Sequence, residues 1–194
     1  MLMVIILCTC MLCSMIQFWF IDTAPAAGVY KDVLHPAVSK CDVCYWINKQ
    51  LQDANNDQYM CINTAVEETM LRQHPLRQDL FVSDNVQEND VLVVSIGGND
   101  IGLQPTFMTI LNLALLVMCA SKSAIEEGSA FGFCHLKKLF GQKTKEYIEG
   151  VLRNRTKPKK IIVCMLYFID ENTKEPSWAS TILSLIGYNS NPTR

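Results

Sequence analysis

The stretch that most limits what this chain can become is residues 91–100, Val-Leu-Val-Val-Ser-Ile-Gly-Gly-Asn-Asp. It is aliphatic and β-branched, with no alternating polar face, until it stops at Gly97-Gly98-Asn99-Asp100. A strand of that kind is buried on both sides, as strands are inside a parallel sheet covered by helices. Two glycines let the backbone turn tightly and approach a neighbour closely. Asn99 and Asp100 then fall at the carboxyl end of the strand, where open α/β sheets place their ligands. A plain turn closing a strand uses the same residue types, so spacing alone leaves both readings standing.

Other segments point to the same class. Residues 45–52 read as a helix, 58–62 as a short strand, and 63–69 as the opening of a helix or turn. Residues 83–87 form a polar lead into the glycine-ended strand. Pro105 stands where a helix can start, and 107–120 continue as an apolar helix, expected to be buried and too short to span a bilayer. Leu136, Leu139, Phe140, Thr144, Tyr147, Ile148, Val151 and Leu152 recur at three- and four-residue steps, with Lys137, Lys138, Lys145, Glu146 and Glu149 opposite. That is an amphipathic helix lying on a sheet, ended by Pro158. Residues 160–168 read as a second long buried strand and 177–186 as another helix. Strand and helix in alternation predict an α/β fold: a three-layer, flavodoxin-like parallel sheet with helices on both faces.

The chain's 194 residues, 49% of them apolar, suffice for one such domain with a core. A net charge of −2 and the absence of a basic stripe with interleaved aromatics argue against a nucleic-acid partner. The basic run from Arg153 to Lys160 reads as a solvated helix end and turn.

Residues 1–21 carry no charged side chain, and Ala24-Pro25-Ala26 beyond them has the small residues of a cleavage site. A leader over 1–26, signal or anchor, would give membrane association through 1–21 and leave the domain at 27–194. The missing positive flank and the three cysteines within it keep a buried first strand, or an error in the first exon, as alternatives. Localisation follows that choice: secretory or membrane-anchored with a leader, cytoplasmic without one. Cys61 and Cys164 fall inside predicted buried strands, a placement that suits a reducing compartment better than a disulfide framework. Cys41-Asp-Val-Cys44 has C-x-x-C spacing, but no second pair completes a metal site, and structural or free thiols are the favoured reading.

Ser95-Ile-Gly-Gly-Asn-Asp-Ile101 resembles the G-x-N-D block of the SGNH (GDSL-type) hydrolases. The resemblance, which covers about residues 58–194, implies an α/β fold and acyl-ester hydrolysis by a Ser-His-Asp mechanism, with no cofactor and no metal. It places an oxyanion-hole amide on Asn99, with Gly97, Gly98 and Asp100 supporting the turn. Asn63-Thr-Ala-Val-Glu-Glu68 is similar to the family's second block, which would make the backbone N–H of Glu68 a second donor, although the family has Gly there. Glu67 and Glu68 also suit the acidic first turn of a helix.

The remaining blocks are not matched. No Gly-Asp-Ser occurs; Asp22-Thr23 is the nearest counterpart, with Thr23 a hindered stand-in nucleophile. No Asp-x-x-His follows the second block, and the one at Asp32-Val-Leu-His35 lies in the wrong order and reads as a surface turn. His74 and His135 read as structural or exposed, without a matching Ser and Asp. The expectation is therefore an ester-hydrolase domain acting on a small-molecule, lipid or carbohydrate acyl ester, incomplete or inactive as this chain. The alternative is a non-catalytic relative kept for binding; a membrane-anchored redox protein using Cys41 and Cys44 trails both.

Overall fold

The computed structural model describes residues 2–8, 23–66, 69–102, 104–153 and 156–164. Its centre is a parallel sheet built from β1 (Leu2–Cys8), β4 (Tyr59–Asn63), β5 (Val91–Ser95) and β6 (Lys160–Val163), in the spatial order β4-β1-β5-β6. β1 is an inner strand: Ile6 sits opposite both Asn63 and Val93, and Cys8 opposite Ser95. Residues 2–8 of the uncharged start of the chain thus form a strand of this sheet, and residues 9–22 lie outside the described residues. Among the described residues no helix is long and apolar enough to cross a membrane. A small antiparallel ribbon pairs β2 (Thr23–Pro25) with β3 (Val38–Lys40) around the short helix α1 (Tyr30–Val33). The molecule is thus mixed α/β.

β5 sorts its side chains to two sides of the sheet. Leu92 and Val94, both 0% exposed, pack with Leu71, Val82, Val86, Ile96, Leu139 and Val151. Val93 and Val91 face Cys44, Cys61, Tyr30 and Ile47. Burying each such side chain is worth roughly 1.5–3 kcal/mol, so this strand anchors both halves of the core.

The first cluster is closed by α3 (Arg77–Asn85) and by a helical run of three parts: α7 (Phe133–Lys137), a π-helical turn over Lys138–Lys143, and α8 (Thr144–Val151). Leu139, Phe140, Tyr147, Ile148, Val151 and Leu152 meet the core, as the periodicity predicts. At the end of the π turn the hydroxyl of buried Thr144 donates to the Leu139 carbonyl five residues back (3.4 Å). Helix α3 has no signature in the sequence, because only Asp79 and Val82 of its nine residues are buried and no apolar stripe marks it. Residues 83–85 end it, rather than forming a lead into β5.

The second cluster is closed by α2 (Val43–Asp53), capped by Asp42, whose carboxylate accepts the Tyr45 N–H at 2.8 Å. Asn48, 2% exposed, clasps the outer edge of β4: it accepts the Cys61 N–H and donates to the Cys61 carbonyl, both at 2.9 Å. One side-chain amide thus stands in for a neighbouring strand.

Two expectations of burial fail. β6 is a strand where predicted, but Ile161, Ile162 and Val163 are each more than 40% exposed; residues 165–186, which include the rest of that predicted strand and the helix after it, lie outside the described residues. Helix α5 (Phe107–Cys119), capped by Thr106, forms as predicted yet buries only Thr109 and Val117. Phe107, Met108, Ile110, Leu111 and Met118 point outward.

Candidate active site

β1, β4 and β5 run parallel and end together at Cys8, Asn63 and Ser95, so the segments leaving them share one edge of the sheet. The chain leaves β5 through Ile96 and Gly97, whose φ of +99° is a left-handed conformation. A Cβ on Gly97 would stand 3.0 Å from the Phe140 ring and 3.6 Å from Leu71. Backbone angle and close approach both require glycine here. Gly97→Ala is expected to cost about 1–3 kcal/mol from the strained φ and the displaced ring, read as a lower urea midpoint at unchanged m-value.

Gly98 starts the next turn, its carbonyl accepting the N–H groups of Ile101 and Gly102 to form the single-turn helix α4 (Asn99–Gly102). Asn99 is 0% exposed and Asp100 7%. Both reach across to the segment that follows β4. The Asn99 Nδ2 donates to the Thr69 carbonyl (2.9 Å), and the Asp100 Oδ2 accepts the Leu71 N–H (3.0 Å). Arg72 adds two bonds to Gln104, one to its carbonyl (3.2 Å) and one to its side chain (3.1 Å). Gln104 in turn donates its N–H to the Asn99 carbonyl (3.1 Å). Residues 69–72 are therefore a strap stitched to the turn at Asn99.

The stitching fixes the amide. A carbonyl at Thr69 can only accept, so the nitrogen of Asn99 faces it and the oxygen faces away. Asn99 Oδ1 is fully enclosed with no hydrogen-bond partner among the described residues. An amide nitrogen carries two hydrogens and Thr69 takes one, so a second N–H is held in a fixed direction.

The other residues singled out in the sequence are not gathered here. Thr23 is exposed at the start of β2, opposite Lys40. Glu68 lies outside the described residues, and so does Glu67. Asn63 opens the second block as a turn former: its Oδ1 accepts the Ala65 N–H (2.8 Å) and its Nδ2 donates to Asp42 (2.7 Å). Asp32 and His35 are exposed around α1, as a surface turn requires.

His74 has the carboxylate partner that the sequence did not reveal. Its Nδ1 lies 2.5 Å from Asp79 Oδ2, with the two side chains 7% and 2% exposed. Asp79 also accepts the Leu76 N–H and, at 2.7 Å, the Tyr147 hydroxyl. Burial pushes the Asp79 carboxyl upward, but the bonds from His74, Leu76 and Tyr147 outweigh it and leave the group below its ordinary value. Burial, then the bond to Asp79, pushes Tyr147 well up. A carboxylate only accepts, so Nδ1 of His74 carries the proton; its Nε2 is buried with no partner among the described residues. This is the imidazole–carboxylate half of a hydrolytic triad in form, with no hydroxyl at its far nitrogen. The pair was hidden because it lies within one loop and helix start, five residues apart. His135 is half-buried and shares a bond of 3.0 Å with the Thr109 hydroxyl, joining α7 to α5.

Of the two C-x-x-C cysteines Cys41 is half-buried and Cys44 buried, and both are free thiols. Cys44 is buried in the first turn of α2, directed at the Cys61 carbonyl (3.3 Å) and 3.9 Å from the Tyr30 hydroxyl. The Cys44 side chain beside the Cys61 thiol, then burial, drives that thiol far up and away from the reactive thiolate. Burial likewise pushes Tyr30 up to about 12. Among the described residues no three His, Cys, Asp or Glu side chains cluster in a way that could hold a metal ion. No protein-family model, curated protein or solved structure matches the chain.

Proposed function

We propose that the chain carries an ester-hydrolase domain of SGNH type, with Asn99 as an oxyanion donor at the carboxyl edge of the sheet. The observation that carries this is the fully buried Asn99, its amide oriented by the Thr69 carbonyl at the end of an inner parallel strand. A donor fixed before the reaction meets the charge of a tetrahedral intermediate without reorganising, which is where such groups are most effective. The sheet order supports it. Counted among the parallel strands alone, β4-β1-β5-β6 is second-first-third-fourth, the order of doubly wound flavodoxin-like sheets. Connections depart in opposite directions from β1 and β5, so the edge at Cys8 and Ser95 is the switch point where such folds bind ligands. Gly97 and Gly98 shape the turn, Asp100 holds the strap, and the ligand class is an acyl ester of a small molecule, lipid or carbohydrate.

A second reading, a binding domain without catalysis, is favoured by one observation. Among the described residues no hydroxyl is bonded to a histidine that also holds a carboxylate: Asp79 holds His74, whereas Thr109 meets His135. A fluorophosphonate probe followed by peptide mass spectrometry separates the two. Stoichiometric labelling of one hydroxyl, blocked by prior incubation with an ester, establishes the hydrolase and identifies its nucleophile. No labelling of folded protein establishes the binding domain.

A further inference from the structure

Helix α5 is amphipathic in the reverse sense. Its thirteen residues hold no charge, and none occurs from Pro105 to Ser121. Polar Thr109 faces inward, 3% exposed, bonded to Thr106 and His135. The outward side carries Phe107 at 76% exposure, Met108 at 53% and Leu111 at 41%. Across the corner where Gly132 seats its backbone against the Asn112 carbonyl, Phe131 is also 76% exposed. A helix at a water-facing surface places such residues the other way round.

The charge around this face is distinct from the rest of the chain. Pro105–Lys143 holds four lysines against two glutamates, a surplus of two positive charges, while the whole chain is at −2. Lys122 opens the next short helix, α6 (Lys122–Glu126), and the Lys137 ammonium lies 5.6 Å over the Phe133 ring and donates to the Gly128 carbonyl (2.8 Å). Lys138 is exposed beside it. Glu126 and Glu127 are the only acids in the segment, and Glu126 pairs loosely with Lys122 at 3.9 Å.

We propose that α5, together with Phe131, docks on the surface of an anionic lipid bilayer. At about 20 Å the helix is too short to cross a hydrocarbon core of about 30 Å, and its length and outward face suit lying in the interface. The flanking lysines complement anionic headgroups while Phe107, Met108 and Leu111 enter the acyl boundary. A second copy of the chain fits less well, because a two-fold contact through α5 sets each copy's lysines against those of its partner. The site at Asn99 lies just ahead of this helix, joined to it through Gln104, so docking would bring the sheet edge to the membrane. The proposal itself stands on α5 alone and does not require that Asn99 serve in hydrolysis.

Co-sedimentation of the full chain with vesicles tests it, using phosphatidylcholine alone and phosphatidylcholine mixed with phosphatidylglycerol. Wild type should bind the mixed vesicles more tightly and lose that preference at high salt. The double substitution Phe107→Asp/Leu111→Asp should lower vesicle binding at least about tenfold while the protein still unfolds cooperatively in urea, since both side chains are exposed. Lys122→Glu/Lys138→Glu should abolish the preference for the anionic mixture. Monomeric wild type that fails to bind either vesicle overturns the proposal. So does a dimer, seen by sedimentation velocity, that Phe107→Asp/Leu111→Asp dissolves, because the face then belongs to a second copy.

Discussion

Gly132→Ala is expected to lower stability by roughly 2–5 kcal/mol. Two independent terms produce it. The backbone at Gly132 has φ +87°, a conformation that costs an L-residue about 1–2 kcal/mol. A Cβ built there would also lie 2.1 Å from the carbonyl oxygen of Asn112, an overlap no rotamer can relieve because the obstacle is backbone inside α5. Relief requires moving α7 off α5, breaking the Thr109–His135 bond and the seat of the π-containing run on the core. Gly150→Ala provides the contrast. It sits inside α8 with nothing within 4 Å of an added methyl, so the same substitution should stabilise by up to about 1 kcal/mol. Urea unfolding of both variants beside wild type checks the opposite signs.

Asp79→Ala should cost about 3–5 kcal/mol, because it removes the one acceptor that satisfies three donors in the core. His74 Nδ1, the Leu76 N–H and the Tyr147 hydroxyl all lose their partner at once. Tyr147→Phe removes a single donor and leaves the carboxylate two others, so about 1–2 kcal/mol is expected there. The carboxylate also sets an acid limb. Its folded value lies below the ordinary one, so the unfolded chain takes up its proton first as pH falls. The stability it contributes is fully present above about pH 4, the unfolded value, and is lost as pH falls through the folded value. Wild type should therefore lose stability below about pH 4, and Asp79→Ala should lose less over the same range. Chemical denaturation at several pH values reads both.

Much of the sheet was legible because its strands obey simple rules. β5 is a continuous apolar run and β4 a short one, and α8 keeps its three- and four-residue period through the π turn. What escaped has physical reasons. Residues 2–8 carry the same uncharged composition whether they enter a sheet or a bilayer, and composition cannot choose between them. Helix α3 is held by a buried carboxylate and one valine instead of a stripe, so periodicity is silent. For α5 the apolar content predicts burial, whereas the structure turns Thr109 inward and the phenylalanine out. At the candidate site, Gly97, Gly98, Asn99 and Asp100 were evident from the abrupt end of β5. The strap that holds them was not, since a backbone carbonyl at Thr69 and an N–H at Leu71 leave no mark on residue type. The same holds for His74 and Asp79, whose partnership depends on a turn rather than a motif.

Hydrolysis of p-nitrophenyl acetate and butyrate by the whole chain, with Asn99→Ala beside it, tests the oxyanion role most directly. Ester turnover by wild type that Asn99→Ala slows by about 10²–10³ in kcat, with the protein still folded, is the result the oxyanion role predicts, the loss typical of one removed donor. Equal rates in wild type and variant, or no turnover by folded wild type, would contradict the assignment of Asn99 and leave the sheet edge as a binding surface.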